Sequence, residues 1–516
     1  MPSREQDDKP ALTNGVDAAA HKKPKRDETK DAETPTETSE TGNTTQPPEV
    51  REEDGAPKPK WVNLGEGAAE KETLSSTTPP VTKTEGSSEG EGAKTTAKQS
   101  VESGPPIALK PLPRLKVAYF HDPELAIFGH PREHMFSPFR GKLAHSLMCS
   151  YGFYPSALEP LHPRLVTRTD LGQFHSDAYL EILATAQRRA NKQFSWKEGA
   201  ANEDEDPDVK AKVDEVLKRF NVVLDPKKSV NAVFPGIFDY CRLYTTGTLG
   251  CAARLCNGDA NLAINWYGGM CHARSSLASY GCFVNDSVLG TLELLQQFQR
   301  VLFINLSGIH ADAVEQAFYT TSRVMFVSFH LKPDMEDTES VFPGTGNVAD
   351  TGVDDGDRFT VNVPLEPGID DESFLPLFRG IIHKARNQYS PQAVVLQCGG
   401  GLLAGERDGL FNLSSSGYGE CVRIVRDFEL PLLMLGGNGA NLANVGRLWA
   451  YLTSVALGLE YNIPKEVPES TEYREYFGPN YKTSIPKLDL PEVVDKKGVQ
   501  VLLRKVQHNL QQIGKR

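Results

Sequence analysis

The first 112 residues contain no phenylalanine or tyrosine, and Trp61 is their only aromatic. They are built almost wholly from Pro, Gly, Ser, Thr, Glu, Lys and Ala. Such a composition cannot bury enough apolar surface to offset the entropy of ordering the chain. Residues 1–112 are therefore expected to be a disordered low-complexity tail. Cysteine is also scarce: eight among 516 residues, none before Cys149 and none in a C-x-x-C pair. That argues against a disulfide scaffold and a zinc-finger module, and fits a reducing compartment. No apolar run approaches the ~18 residues of a membrane span, and the polar start lacks the pattern of a secretory signal. The net charge of −12 has the wrong sign for a broad nucleic-acid surface. Neither membrane association nor direct nucleic-acid binding is expected. One compact basic run, "KKPKR", places Lys22, Lys23, Lys25 and Arg26 in the tail. It reads either as a solvated charge patch or as a nuclear import signal, which makes the nucleus the favoured location and the cytoplasm the alternative.

From Lys116 onward the composition changes. "LKVAYFHD", "ANLAINWYGG", "RVLFINL", "RVMFVSFH", "AVVLQCGGG" and "LPLLMLGGNG" are short apolar runs, most ending in glycine or a polar residue. Strands buried on both faces look like this. Helical segments such as "SVLGTLELLQQFQ" and "SFLPLFRGIIHKARNQ" alternate with them, so the fold class is α/β, with a central, mostly parallel sheet flanked by helices. Two polar stretches, 196–210 and 331–340, read as surface insertions. Val499, Leu503, Val506, Leu510 and Ile513 recur at helical spacing near the end, predicting a terminal helix with one apolar face docked on the domain. The glycine runs Gly399–Gly401 and Gly436–Gly439 lack a following G-K-S/T or a G-x-G-x-x-G opening, so they read as tight strand-end turns rather than phosphate loops. The polar cluster after "VLFIN", from Ser307 through Asp312, lies where α/β enzymes keep their chemistry, at a strand's C-terminal end.

Five strings carry a resemblance: "INWYGGMCHARSSLASYGCFVNDSVLG", "HADAVEQAFYTTSRVMFVSFH", "FPGTGN", "AVVLQCGGGLLAGERDGLFNLSSSGYGECV" and "LPLLMLGGNGANLANVGRLWAYLTSVAL". In this order and at this spacing they are similar to a class I histone deacetylase. The resemblance implies a single arginase/deacetylase-type domain over residues 113–486, followed by a C-terminal extension, 487–516, with the terminal helix. It also implies the chemistry of that family. A zinc ion at the foot of a narrow tube polarises an acetyl-lysine carbonyl and activates water. Two adjacent histidines, each backed by an Asp, move protons. A tyrosine hydroxyl stabilises the oxyanion.

Carried over position by position, the resemblance predicts a depleted site. The family's strand end reads D-I-D-x-H-H-G-D-G; here Asn305 replaces the first Asp, Ser307 the ligand Asp and Ile309 the ligand His. Gly401 stands at the third ligand position and Ala440 at the oxyanion tyrosine. All three zinc ligands are thus replaced, and zinc is expected to be absent. A structural monovalent cation is weakened by Asn305 and Ser307. The histidine pair reads Cys271–His272; His310 and Asp312 keep their expected types, so His272 with Asp312 is the surviving dyad on paper. Tyr280 and Gly281 exchange the family's Gly and aromatic at the tube, Phe342 keeps the second tube aromatic, and Asp408 replaces an apolar rim residue. Asp225 is a candidate for the acidic rim. Of the inositol phosphate positions Ser137, Arg407 and Ala443, only Arg407 is basic, with Arg140 and Lys142 nearby.

These substitutions lead to the expectation of a pseudoenzyme-like protein, not an enzyme, acting as a non-catalytic subunit or modulator of a nuclear chromatin corepressor complex in transcriptional repression. A catalytic deacetylase is among its expected partners. Two alternatives stay open. One is a divergent deacylase or hydrolase with a centre rebuilt around Cys271, His272, His310 and Asp312; a rebuilt metal site from Cys271, His310 and Cys282 is a variant of it. The other is a ligand-binding module using the altered acyl-lysine tube, motivated by the space at Gly401 and Ala440 and opposed by Tyr280. Adjacent side chains on an extended segment point apart, so Cys271 and His272 are not expected to work as a pair.

Overall fold

The computed structural model describes residues 116–128, 134–193, 207–225, 229–333, 343–407, 409–491 and 494–513. The chain divides into two units, Met1–Ser103 and Gly104–Arg516, and the described residues belong to the second. The tail 1–112 and its basic run, Lys22, Lys23, Lys25 and Arg26, lie outside the described residues, as do Phe342 and Asp408.

The strands are β1 (Val117–Phe120), β2 (Glu159–Pro160), β3 (Leu262–Asn265), β4 (Val301–Gly308), β5 (Val324–Leu331), β6 (Thr360–Leu365), β7 (Ala393–Gln397) and β8 (Leu432–Leu435). The helices are α1 (Phe139–Ser150), α2 (Arg168–Leu171), α3 (Asp177–Gln193), α4 (Pro207–Arg219), α5 (Ile237–Cys256), α6 (Asp286–Gln297), α7 (Asp312–Phe318), α8 (Asp371–Tyr389), α9 (Ser415–Arg426), α10 (Leu442–Leu457) and α11 (Lys496–Gln511). The strands form one sheet in the order β2-β1-β3-β8-β7-β4-β5-β6, and every pairing is parallel. The α/β reading holds, and the sheet is wholly rather than mostly parallel.

The apolar runs of the sequence become strands because both faces of the sheet are covered. Along β4, Leu302, Ile304 and Leu306 enter one apolar cluster and Val301 and Phe303 the other. Helices α1, α8, α9, α10 and α11 supply the first cluster; α3, α5, α6 and α7 supply the second. Trp266 and Trp449 stack in the first, with centroids 5.4 Å apart, a contact worth about 1 kcal/mol beyond its area burial. The terminal helix forms as expected: Val499, Val506 and Leu510 are buried, and α11 packs on α8. The insertion reading of 196–210 needs correction at its end, because α4 begins at Pro207. Among the described residues no helix is long and apolar enough to cross a membrane.

Parallel strands deliver all their C-terminal ends to one edge. The loops after β3, β8, β7, β4 and β5, adjacent in the sheet, therefore converge there. The two glycine runs are strand-end turns. Gly437 and Gly439 take φ of 120° and 135°, and the Gly400 N–H donates to the Asn438 carbonyl at 2.7 Å, locking the loops after β7 and β8 together.

Candidate functional site

The loop after β3 is held from beneath by the start of α6. Asp286 accepts from the backbone N–H groups of Gly269 (3.0 Å) and Met270 (2.7 Å), and also from the Thr248 hydroxyl. Asn285 caps α6, and its Nδ2 donates to the carbonyls of Cys271 and Ala273 at 3.1 and 2.9 Å. Burial pushes the Asp286 carboxyl up to about 6 against these donors. Neither bracing residue was singled out from sequence; the signal was an Asn-Asp pair opening a predicted helix.

This brace presents Cys271 and His272, each 1% exposed. His272 Nδ1 lies 3.0 Å from Asp312 Oδ1, and Arg274 donates to the other carboxylate oxygen at 3.2 Å. Gln397 Nε2 donates to the Cys271 sulfur at 3.1 Å. Burial alone would lower the His272 pKa, but the adjoining Cys271 sulfur and the Asp312 carboxylate together lift it to about 10. Burial works in the opposite sense on Asp312, yet its bonds to His272 and Arg274 hold it below the usual carboxylate range. The Cys271 sulfur bears on the imidazole electrostatically, but the sulfur is met by Gln397 and the imidazole Nδ1 by Asp312, so the expectation that Cys271 and His272 do not form a hydrogen-bonded pair is not overturned. Among the described residues His272 Nε2 has no hydrogen-bond partner.

His310 does not join them. Its Nδ1 meets Thr345 Oγ1 at 2.7 Å, its Nε2 faces Glu315 at 3.4 Å, and its ring lies 4.5 Å from that of His330. The four-residue centre is therefore three residues, Cys271, His272 and Asp312, with Gln397 beside them. Among the described residues no group of three or more His, Cys, Asp or Glu is placed to hold a metal ion.

At the end of β4 the polar side chains bond to their own backbone. Asn305 Nδ2 donates to the Ile309 carbonyl at 2.7 Å and to Ser328 Oγ at 2.9 Å. Ser307 Oγ donates to that same Ile309 carbonyl at 2.8 Å. Two internal donors thus occupy a carbonyl of the kind that could otherwise face a cation. Ile309 is buried and apolar.

The space expected at Gly401 is closed. Asn438, after β8, donates from Nδ2 to the Ser307 carbonyl at 2.9 Å, and a Cβ on Gly401 would run into both that carbonyl and Asn438. Among the described residues the buried Asn438 Oδ1 has no hydrogen-bond partner. At Ala440 the backbone N–H donates to Glu406 Oε2 at 2.7 Å, and Asn441 donates to the same oxygen at 3.2 Å. These N–H groups are thereby committed to a carboxylate. Asn438, Glu406 and Gln397 were missed from sequence because their roles arise only when three loops meet. Arg140, offered from the sequence as a nearby basic residue for an inositol phosphate, does not face solvent. It is buried, donates to the carbonyls of Ser137 (2.8 Å) and Gly439 (3.2 Å), and lies over the Trp449 ring. Burial lowers its pKa to about 10. Ser137 is buried and Lys142 lies over Tyr473, while Arg407 is exposed.

Tyr280 and Gly281 form the tip of a two-residue hairpin. Ser279 and Cys282 exchange backbone hydrogen bonds at 3.0 and 2.8 Å, and both tip residues have positive φ, 50° and 78°. That is the type I′ signature. The Tyr280 ring lies 5.3 Å from the ring of His272.

The residues present do not fit zinc. Ser307 spends its hydroxyl on Ile309, Ile309 carries no donor, and Gly401 has no side chain and no room for one.

A match to the histone deacetylase domain family covers residues 134–456. The chain belongs to the histone deacetylase family. It is 43% identical over 366 residues to histone deacetylase 6 of Arabidopsis thaliana, covering 71% of each chain. It is 39% identical to histone deacetylase 19 of the same plant, covering 77% of this chain and 73% of the relative. With histone deacetylase 1 of Homo sapiens it shares 40% identity over 372 residues, 72% of this chain and 70% of the relative. These findings overturn the expectation that the chain is not an enzyme: the relatives it matches over most of its folded length are named as deacetylases. The error has a physical root. The expectation weighed only the residues at the ligand positions, Ser307, Ile309 and Gly401, and gave little weight to the buried His272–Asp312 pair and the neighbouring thiol.

Proposed function

We propose that this histone deacetylase-family chain works in the nucleus, within a chromatin corepressor assembly, and that its strand-end site acts on acylated lysine without zinc. The supporting observation is the buried cluster at the strand ends, with His272 held by Asp312 at 3.0 Å and the Cys271 thiol next to it in the chain; these are the residue types that serve as nucleophile, base and orienting carboxylate in covalent acyl transfer. In this reading His272 holds the proton of Cys271. The sulfur attacks the acyl carbonyl and forms an S–C bond. The C–N bond to lysine breaks, and His272 gives its proton to the departing amine. Water then surrenders a proton to His272 and attacks the thioester, releasing carboxylate and restoring the thiol. Asp312 keeps the imidazole's Nδ1–H in place throughout, and Gln397 is the donor nearest the sulfur. The basic run Lys22–Arg26 supports the nuclear setting.

The test is hydrolysis of acyl-lysine peptides by the purified full chain, with and without a metal chelator. Turnover is expected to survive the chelator and to fall at least about 100-fold in Cys271→Ser, the scale of losing an activated nucleophile. Turnover that requires added zinc, or that ignores the substitution, refutes the site. Tagged purification from nuclear extract is expected to recover a catalytic deacetylase and corepressor subunits; their absence refutes the assembly.

A further inference from the structure

We propose that Tyr280 is the gate of the strand-end site: its ring lies over His272 and must swing aside before a ligand side chain reaches His272 and Cys271. The groups packed against the pair on other sides, Phe136, Gln397, Asn285 and Cys282, are themselves buried. Tyr280 is different. It is partly exposed, its ring lies against the ring of His272, and it stands at the tip of a hairpin whose two central residues are both left-handed. A bulky side chain at positive φ is unfavourable, and Asn or Gly is the residue such a tip prefers. Sequence placed here by local preference would not be tyrosine. The ring's contact with His272 is the interaction on the page that offsets that cost. Gly281 permits the tight tip, since a Cβ there would strike the His134 ring, and its N–H is anchored to Asn231 at 2.7 Å. The backbone is thus pinned at Gly281, leaving side-chain rotation at Tyr280 as the opening movement. Arg274, 46% exposed, marks the rim beside it.

The acyl-lysine identity of the ligand rests on the function proposed above; the gate itself does not, and its test needs no turnover. Iodoacetamide labelling of Cys271 under native conditions, quantified by peptide mass spectrometry, is compared in the full chain, in Tyr280→Asn and in Tyr280→Phe. The asparagine variant keeps a residue that a type I′ tip favours, so it removes the ring without breaking the hairpin. Cys271 is expected to label at least tenfold faster in Tyr280→Asn than in the native chain, and at the native rate in Tyr280→Phe. Cys251, fully buried between helix and sheet, serves as the control for global opening and is expected to stay unlabelled. Equal Cys271 rates in the native chain and Tyr280→Asn, or Cys251 labelling in step with Cys271, overturn the gate. Accelerated labelling in a protein that hydrolyses no acyl-lysine peptide upholds the gate and refutes the proposed reaction.

Discussion

His272 keeps a proton that burial alone would remove. With its pKa lifted from 6.5 to about 10, its contribution to stability is complete below about pH 6.5 and is lost as pH rises through 10. Asp312→Asn is expected to bring the His272 pKa down, read by NMR titration of the imidazole, and to flatten the fall in stability across that window. An unchanged titration would show that Asp312 does not hold the charge. The dyad was legible in the sequence because both residues kept types that imply each other. Asn438 was not legible: an asparagine among glycines carries no local sign that it will cross to Ser307. Its consequence is measurable. Gly401→Asp, which supplies a carboxylate at the position the resemblance assigns to a third metal ligand, forces a side chain into the space held by Asn438 and the Ser307 carbonyl. It is expected to cost about 1–3 kcal/mol, the usual price of overpacking, measured by urea unfolding.

At the scale of elements, strands buried on both faces announced themselves as apolar runs, and β3, β4, β5, β7 and β8 fall where those runs lie. Strand β6 was not anticipated. It includes Asn362 and Pro364, and it sits at the sheet edge, where proline is tolerated because one side of the strand has no partner to receive an N–H. Helix α4 was hidden by its charge: of its described side chains only Leu217 is fully buried, so its apolar face is narrow. Helix α11 was visible because its apolar spacing is regular, and Asp495 caps it by accepting from the Lys497 N–H at 2.9 Å. Leu510 is fully buried against the domain. Leu510→Ala is expected to destabilise the whole domain by about 2–4 kcal/mol, detected as one shifted cooperative transition. A separate early transition confined to the helix would show that α11 is an independent appendage.

The described residues bury their apolar groups on both sides of one parallel sheet, and their strand-end loops are tied to one another through side-chain and backbone hydrogen bonds. Tyr418 donates to the carbonyls of Leu306 and Gly399, joining the ends of β4 and β7, and Asn438 adds the end of β8. These ties lead to the expectation that no metal is needed to hold the loops. The expected outcome is that a chelator leaves the Tm unchanged, read by differential scanning fluorimetry; a fall of several degrees would show a metal contributing to the folded state. The architecture was legible because it is written in many residues at once, whereas the closure of the site is written in a few whose partners are distant in sequence.

The double occupation of the Ile309 carbonyl by Asn305 and Ser307, together with the Asn438 bridge, has a consequence for inheritance. Changing Ser307 to a carboxylate removes one donor and leaves the crowded Gly401 untouched; changing Gly401 first collides with Asn438; changing Asn438 first leaves the Ser307 carbonyl without its donor. Each step toward a metal-holding descendant is penalised until the others are made. The three positions are thereby interlocked, and a change at any one of them alone is expected to cost stability.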